Sequence, residues 1–156
     1  MGEEEEYLWE KIYISLSKHK TTDNLELKKA FTVGFATKKT EEISDYFGVV
    51  SGNKEDKIVK SGVHVVKSNF VDAPIIEEYP LTLECTVDSF EDGELNGSVV
   101  NSSVDEEYLD EKGNIDVDKM EIITFDYDTM KELGCWKTCQ EIQMEFVIMM
   151  KLLAKE

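Results

Sequence analysis

Polar and apolar positions alternate in several short stretches of the chain. In residues 11–17 (KIYISLS), Ile12, Ile14 and Leu16 recur at every second position, the period of a half-buried strand. Residues 30–36 (AFTVGFA) are aromatic and β-branched and predict a second strand. The clearest alternation covers 81–88, where Leu81, Leu83, Cys85 and Val87 face one way and Thr82, Glu84, Thr86 and Asp88 the other. Glu91-Asp92-Gly93 predicts a turn after it, with residues 94–101 returning as the hairpin partner. A last strand is predicted over 122–127 (IITFDY).

Helices are predicted between these strands from capping chemistry. Asp23, with Glu26 three residues on, suits the start of a short helix through LELKK. Thr40 before Glu41 and Glu42 opens another, running through Tyr46 with Gly48 as its stop. Residues 51–54 (SGNK) read as a turn, and 55–60 as a helix ending near Gly62. Ser103 and Glu106 have capping-box spacing for an acidic helix that Gly113 would end. From Cys135 the period becomes helical, with Cys139, Ile142, Phe146, Met149 and Leu153 on one stripe. Hairpin spacing with short helices between strands predicts a mainly β fold, an antiparallel barrel or sandwich with helical decorations. A doubly wound sheet is disfavoured, because regular strand–helix alternation and a glycine-rich fingerprint are both missing.

Composition narrows the function classes. The 156 residues are 33% charged and 41% hydrophobic, which suits one globular domain. A chain of this size buries about 68–70% of its unfolded surface and needs no disulfide or metal to fold. Its net charge of −17 disfavours nucleic acid and anionic membrane surfaces as partners. The charge is uneven: residues 11–70 hold eleven lysines and seven acids, residues 71–130 two lysines and eighteen acids. An anionic ligand is therefore expected in the first half. With no arginine in the chain, a phosphate would be held by lysine, hydroxyls or backbone N–H groups. The N-terminus MGEEEE lacks a signal-peptide pattern, Glu6 breaks a myristoylation pattern, and the longest apolar run, Phe146 to Met150, is too short to span a bilayer. Three poorly spaced cysteines point to a reducing, cytoplasmic compartment.

Familiar catalytic constellations do not emerge, and neither catalytic residues nor metal ligands are assigned. His19 and His64 lie at no metal-ligand spacing from a cysteine, and Cys135 and Cys139 are four apart on a predicted helix, where packing explains both. The acidic stretch Asp105 to Asp118 has the density of a calcium loop, but Lys112 and Gly113 stand where other residues are needed. Two segments carry more. Ser17 to Asn24 (SKHKTTDN) joins a strand to a helix start, placing free N–H groups beside lysines and hydroxyls that suit a phosphate ester. An ordinary helix capped by Asp23 is the competing reading. Ser51-Gly52-Asn53-Lys54, followed by Lys57, combines a close-approach glycine with a cation, but a serine-glycine turn is more often just a turn.

The order of these segments, KIYISLSKHKTTDNLELKKAFTVGFA, DYFGVVSGNKEDK and NFVDAPIIEEYPLTLECTV, resembles the flavin reductase-like family, FMN-binding split β-barrels of flavoredoxin type. The resemblance runs from about Lys11 to Tyr127. It implies a split antiparallel barrel over 11–130, with a divergent C-terminal helix over 131–156. It further implies a homodimer that binds FMN, takes reducing equivalents from NAD(P)H or a redox protein partner, and leaves the hard chemistry to the flavin. By the same resemblance Ser17, Lys20, Thr21, Thr22 and Asn24 would surround the FMN phosphate and ribityl chain. Ala30, Phe31 and Thr32 would run along the flavin, and Ser51, Gly52 and Lys54 would approach it from another loop. The alternative is a catalytically inactive split-barrel dimer that has lost FMN binding, since only MGEEEEYLWE precedes the first matched strand.

Overall fold

The computed structural model describes residues 11–16, 20–49, 54, 56–126 and 131–134. Its centre is a four-stranded sheet in the order β1-β6-β5-β2, formed by β1 (Lys11–Ser15), β2 (Ala30–Gly34), β5 (Leu81–Glu91) and β6 (Glu94–Val104). Every pairing is antiparallel. Two further hairpins pair β3 (Val65–Lys67) with β4 (Pro74–Ile76), and β7 (Ile123–Asp126) with β8 (Lys131–Gly134). The helices are short: α1 (Lys20–Lys28), α2 (Glu41–Val49), α3 (Lys57–Ser61) and α4 (Val117–Met120). This is the mainly β, split-barrel fold expected from the sequence. The helix expected from Cys135 lies outside the described residues, and residues 131–134, placed with that helix, form the strand β8.

The β5–β6 hairpin follows from local chemistry. Asp92 (φ 51°) and Gly93 (φ 80°) both take left-handed conformations, the two-residue turn that matches strand twist. A side chain at Gly93 would also strike the carbonyl oxygen of Leu16, whose N–H donates to the Gly93 carbonyl at 2.7 Å. One face of the sheet builds the main core from Ile14, Leu25, Phe31, Val33, Cys85 and Leu95. Phe31 is fully buried, and its ring lies where a Cβ on Gly97 would sit, so Gly97 on β6 makes room for it. Burial holds the Cys85 thiol protonated, pushing its pKa up to about 12. A second cluster joins Ala36, Phe47, Ile76, Tyr79 and Ile123, and a third Leu81, Tyr108 and Met120.

Several local expectations shift under tertiary packing. Helix α1 begins at Lys20, so Asp23 lies in its first turn instead of capping it, where its charge still suits the positive end of the helix dipole. A single turn of 3-10 helix at Lys38–Thr40 precedes α2, and Thr40 Oγ1 accepts from the Thr37 N–H at 2.8 Å, moving the entry three residues earlier than expected. Helix α2 continues through Gly48 to Val49, and Lys57 Nζ donates to the Phe47 carbonyl at 2.8 Å. Helix α3 matches expectation: Asp56 accepts from the Ile58 and Val59 N–H groups, and Gly62 ends it. Strand β6 runs on to Val104, which puts Ser103 in the sheet and leaves only a 3-10 turn at Glu106–Tyr108 in place of the acidic helix. The short strands β3 and β4 and the helix α4 carry too little period of their own to show in the sequence.

Candidate functional site

The end of α1, the strand β2 and the segment between β3 and β4 meet at one edge of the central sheet, the edge opposite β1. Strand β2 is an edge strand, hydrogen-bonded to β5 alone in the central sheet and buried along its whole length. Residues 68–74 cover the face opposite the main core. Ala30 packs on Val71 and Ala73, and Thr32 Oγ1 donates to the Pro74 carbonyl at 2.5 Å. Lys28 at the end of α1 pairs with Asp72 at 3.2 Å.

A buried carboxylate organises this edge. Glu84 stands opposite Thr32 in the β2–β5 register, so both project to the covered face, and Glu84 is only 2% exposed. Its Oε1 accepts from Ser68 Oγ at 2.7 Å, and its Oε2 from Asn101 Nδ2 and, at 3.3 Å, from Ser103 Oγ. The Ser68 oxygen in turn accepts the N–H groups of Phe70 and Val71, each at 3.0 Å. A carboxylate in this position would be costly unless bonded on both oxygens, and the three neutral donors meet that need. The alternation of 81–88 marks Glu84 as solvent-facing, so sequence reasoning missed the network. The signal available was Ser68, which has the side chain and spacing of a serine turn just before an aromatic residue.

The residues expected at the site distribute as follows. Lys20 and Thr21 open α1, Thr22 is buried within it, and Asn24 is half-buried. Ala30, Phe31 and Thr32 lie side by side on β2, as expected of consecutive strand residues, but their side chains are engaged. Phe31 points into the main core, which leaves its backbone and not its ring to meet a ligand at this edge. Lys54 lies exposed in a turn ahead of α3. Ser17, Ser51 and Gly52 lie outside the described residues. A groove of about 370 Å³ lined by Lys11, Ile12, Leu83, Val99, Val100, Asn101 and Ser102 contains none of the candidate residues, and its walls are the open end of the main core and its rim.

Two other charged clusters sit away from this edge. Lys11 Nζ donates to Asp88 at 2.9 Å and Ser98 Oγ donates to Asp88 at 2.7 Å, and these hydrogen bonds hold the Asp88 carboxyl below its ordinary range. His64 Nδ1 contacts Glu78 at 2.7 Å, and Glu78 also accepts the His64 backbone N–H. The Glu78 contact raises the His64 pKa, while burial pushes Glu78 up but the His64 hydrogen bonds outweigh it and bring it down. In the acidic loop, Asp110 accepts the Lys112 and Asn114 N–H groups, so its carboxylate is used by its own turn. Among the described residues no group of three or more His, Cys, Asp or Glu is arranged to hold a metal ion, and no helix is long and apolar enough to cross a membrane.

Residues 11–117 match the flavin reductase like domain. The chain belongs to that family. The split-barrel fold is shared with a flavoredoxin of Desulfovibrio vulgaris (Miyazaki F), at a TM-score of 0.77 and 27% identity over 81% of this chain and 70% of that one. A flavoredoxin from Methanosarcina acetivorans superposes with a TM-score of 0.69 at 25% identity, covering 85% of this chain and 75% of the other. An FMN-binding domain of a flavin reductases-like enzyme from Shewanella baltica OS155 shares the fold at 16% identity and a TM-score of 0.68, over 81% of this chain and 72% of its own. No curated protein sequence matches the chain. In this flavin reductase-like chain the matched span takes in β1 through β6, and with them the whole edge organised by Glu84.

Proposed function

We propose that this flavin reductase-like chain binds FMN non-covalently and works as a flavin-dependent oxidoreductase, fed by NAD(P)H or a protein donor and assembled as a homodimer. The observation that carries this reading is the likeness to the Desulfovibrio flavoredoxin across 81% of the chain. The donor set at the start of α1 fits the flavin's phosphate. Lys20, Thr21 and Thr22 stand in the first turn of a nine-residue helix, residue types that can hold a phosphate without arginine. By the family resemblance Ser17 and Asn24 would complete that set. Asp23 opposes it, which favours a geometry in which the anion meets the helix end and not its flank.

Bound FMN would supply the ring that accepts and passes on electrons. The chain's own task is orientation. The backbone of Ala30, Phe31 and Thr32 is stiffened by Phe31 packing beneath it and by residues 68–74 above, a rigid rail for a planar ring. By the family resemblance Ser51, Gly52 and Lys54 would approach the flavin from the segment between α2 and α3; Lys57, on α3, bonds the Phe47 carbonyl of α2. No acid or base is asked of any side chain.

The test is a visible absorption spectrum of the purified full-length protein, recorded after incubation with FMN and gel filtration. Retained flavin absorbance at about one equivalent per chain is expected. A folded dimer that retains none would leave the inactive split barrel as the better reading.

A further inference from the structure

Residues 68–73 form a turn that is fastened at Ser68, Val71, Asp72 and Ala73, with the Asn69 and Phe70 side chains exposed. Ser68 N–H donates to the Ala73 carbonyl at 3.0 Å, Ala73 N–H to the Val71 carbonyl at 2.9 Å, and Ser68 Oγ links the buried Glu84 to the N–H groups of Phe70 and Val71. Val71 is buried against Ala30, and Asp72 pairs with Lys28 and, at 3.8 Å, with Lys67. At the tip, Phe70 leaves 61% of its surface in solvent. A phenylalanine free to choose would turn its ring inward, because burying apolar surface is favourable. Here the backbone under it is fixed by hydrogen bonds, so the ring is displayed one residue before Val71, which packs on Ala30, the first residue of β2. Holding an aromatic side chain ready in this way lowers the entropy lost when a flat ligand stacks on it.

We propose that Phe70 is a contact residue of the flavin site, stacking on a planar heteroaromatic ring, with the Glu84–Ser68 pair as the positioning device that presents it. The proposal rests on the flavin reading above and adds a residue and a lock to it. Two rings share the required chemistry: the isoalloxazine of FMN and the nicotinamide of its reductant.

The experiment uses the full chain with Phe70→Ala, Phe70→Tyr and Ser68→Ala. Binding of FMN and of lumiflavin, which lacks the ribityl phosphate, is followed by flavin fluorescence, and NAD+ is titrated into the FMN-loaded protein. Phe70→Ala is expected to weaken one of these rings about tenfold, the scale of removing one aromatic stacking partner, and Phe70→Tyr to restore binding to within about twofold. Weakened lumiflavin assigns the isoalloxazine; unchanged flavins with weakened NAD+ assign the nicotinamide. Ser68→Ala, which keeps the ring but releases the turn, should weaken the same ligand, and the Phe70→Ala/Ser68→Ala double variant should be no weaker than Phe70→Ala alone. The proposal fails if Phe70→Ala leaves all three affinities unchanged in a protein that binds FMN, or if it alters only the dimer's dissociation. A wild-type chain that binds no flavin overturns the flavin reading itself.

Discussion

Two of the carboxylates on strand β5, Glu84 and Asp88, stand four residues apart in opposite surroundings. Glu84 sits under residues 68–74 at 2% exposure and is held by neutral donors. Asp88, nearer the turn, has a 39% exposed side chain and holds a lysine and a serine. The one with the formal ion pair is the less consequential. An exposed pair exchanges hydration for a contact of nearly equal worth, whereas a buried carboxylate and its donors have no water to fall back on. Between the two lies Glu78, its side chain 25% exposed against His64. The series predicts that burial, not charge pairing, ranks these carboxylates.

The largest effect is expected at the buried end. Glu84→Ala should lower stability by about 3 kcal/mol, because Ser68 and Asn101 lose an acceptor inside the protein. Urea denaturation followed by near-UV circular dichroism would measure it, and a loss below about 1 kcal/mol would show that water reaches the network.

The intermediate case is a matter of pH. The His64 pKa is raised, so its share of the stability is present below its ordinary value of 6.5 and lost as pH rises through the folded value. The Glu78 pKa is lowered, so its share is present above its ordinary 4.5 and lost as pH falls through the folded value. The difference in denaturation midpoint between wild type and His64→Ala should therefore be greatest between pH 4.5 and 6.5 and fade on the alkaline side. A difference that stays flat to pH 9 would mean the imidazole acts through packing alone.

The smallest effect is expected at the exposed end. Lys11→Ala should change stability by less than about 1 kcal/mol, and 0.5 M salt should abolish most of that change. If it matched Glu84→Ala, the contrast drawn between the two ends of β5 would be lost.

Reading the chain without its fold identifies the parts whose reasons are local. The β5–β6 hairpin follows from alternation on both sides of Asp92-Gly93, and the end of α3 from Gly62, because turn and cap chemistry act within a few residues. The strand β1 and the existence of the helix α1 were legible for the same reason, and the phosphate end proposed beside them comes from the family resemblance. The other half of the site was not legible. Period-two alternation sorts β5 into two faces but does not say that both are covered, so Glu84 read as a surface residue. Its partners Ser68, Asn101 and Ser103 lie sixteen to nineteen residues away.

What the sequence determined by itself, then, was the antiparallel β character, the β5–β6 hairpin and the short helix α3 ending at Gly62. Only the tertiary structure decided that Phe31 turns its ring onto Gly97 and away from the β2 edge, that Glu84 is sealed under residues 68–74, and that Phe70 remains outside on a locked turn. Local signals depend on dihedral preferences and caps, which neighbours set. Burial depends on what another segment lays over a face, and that is settled only when strands distant in sequence are brought into register.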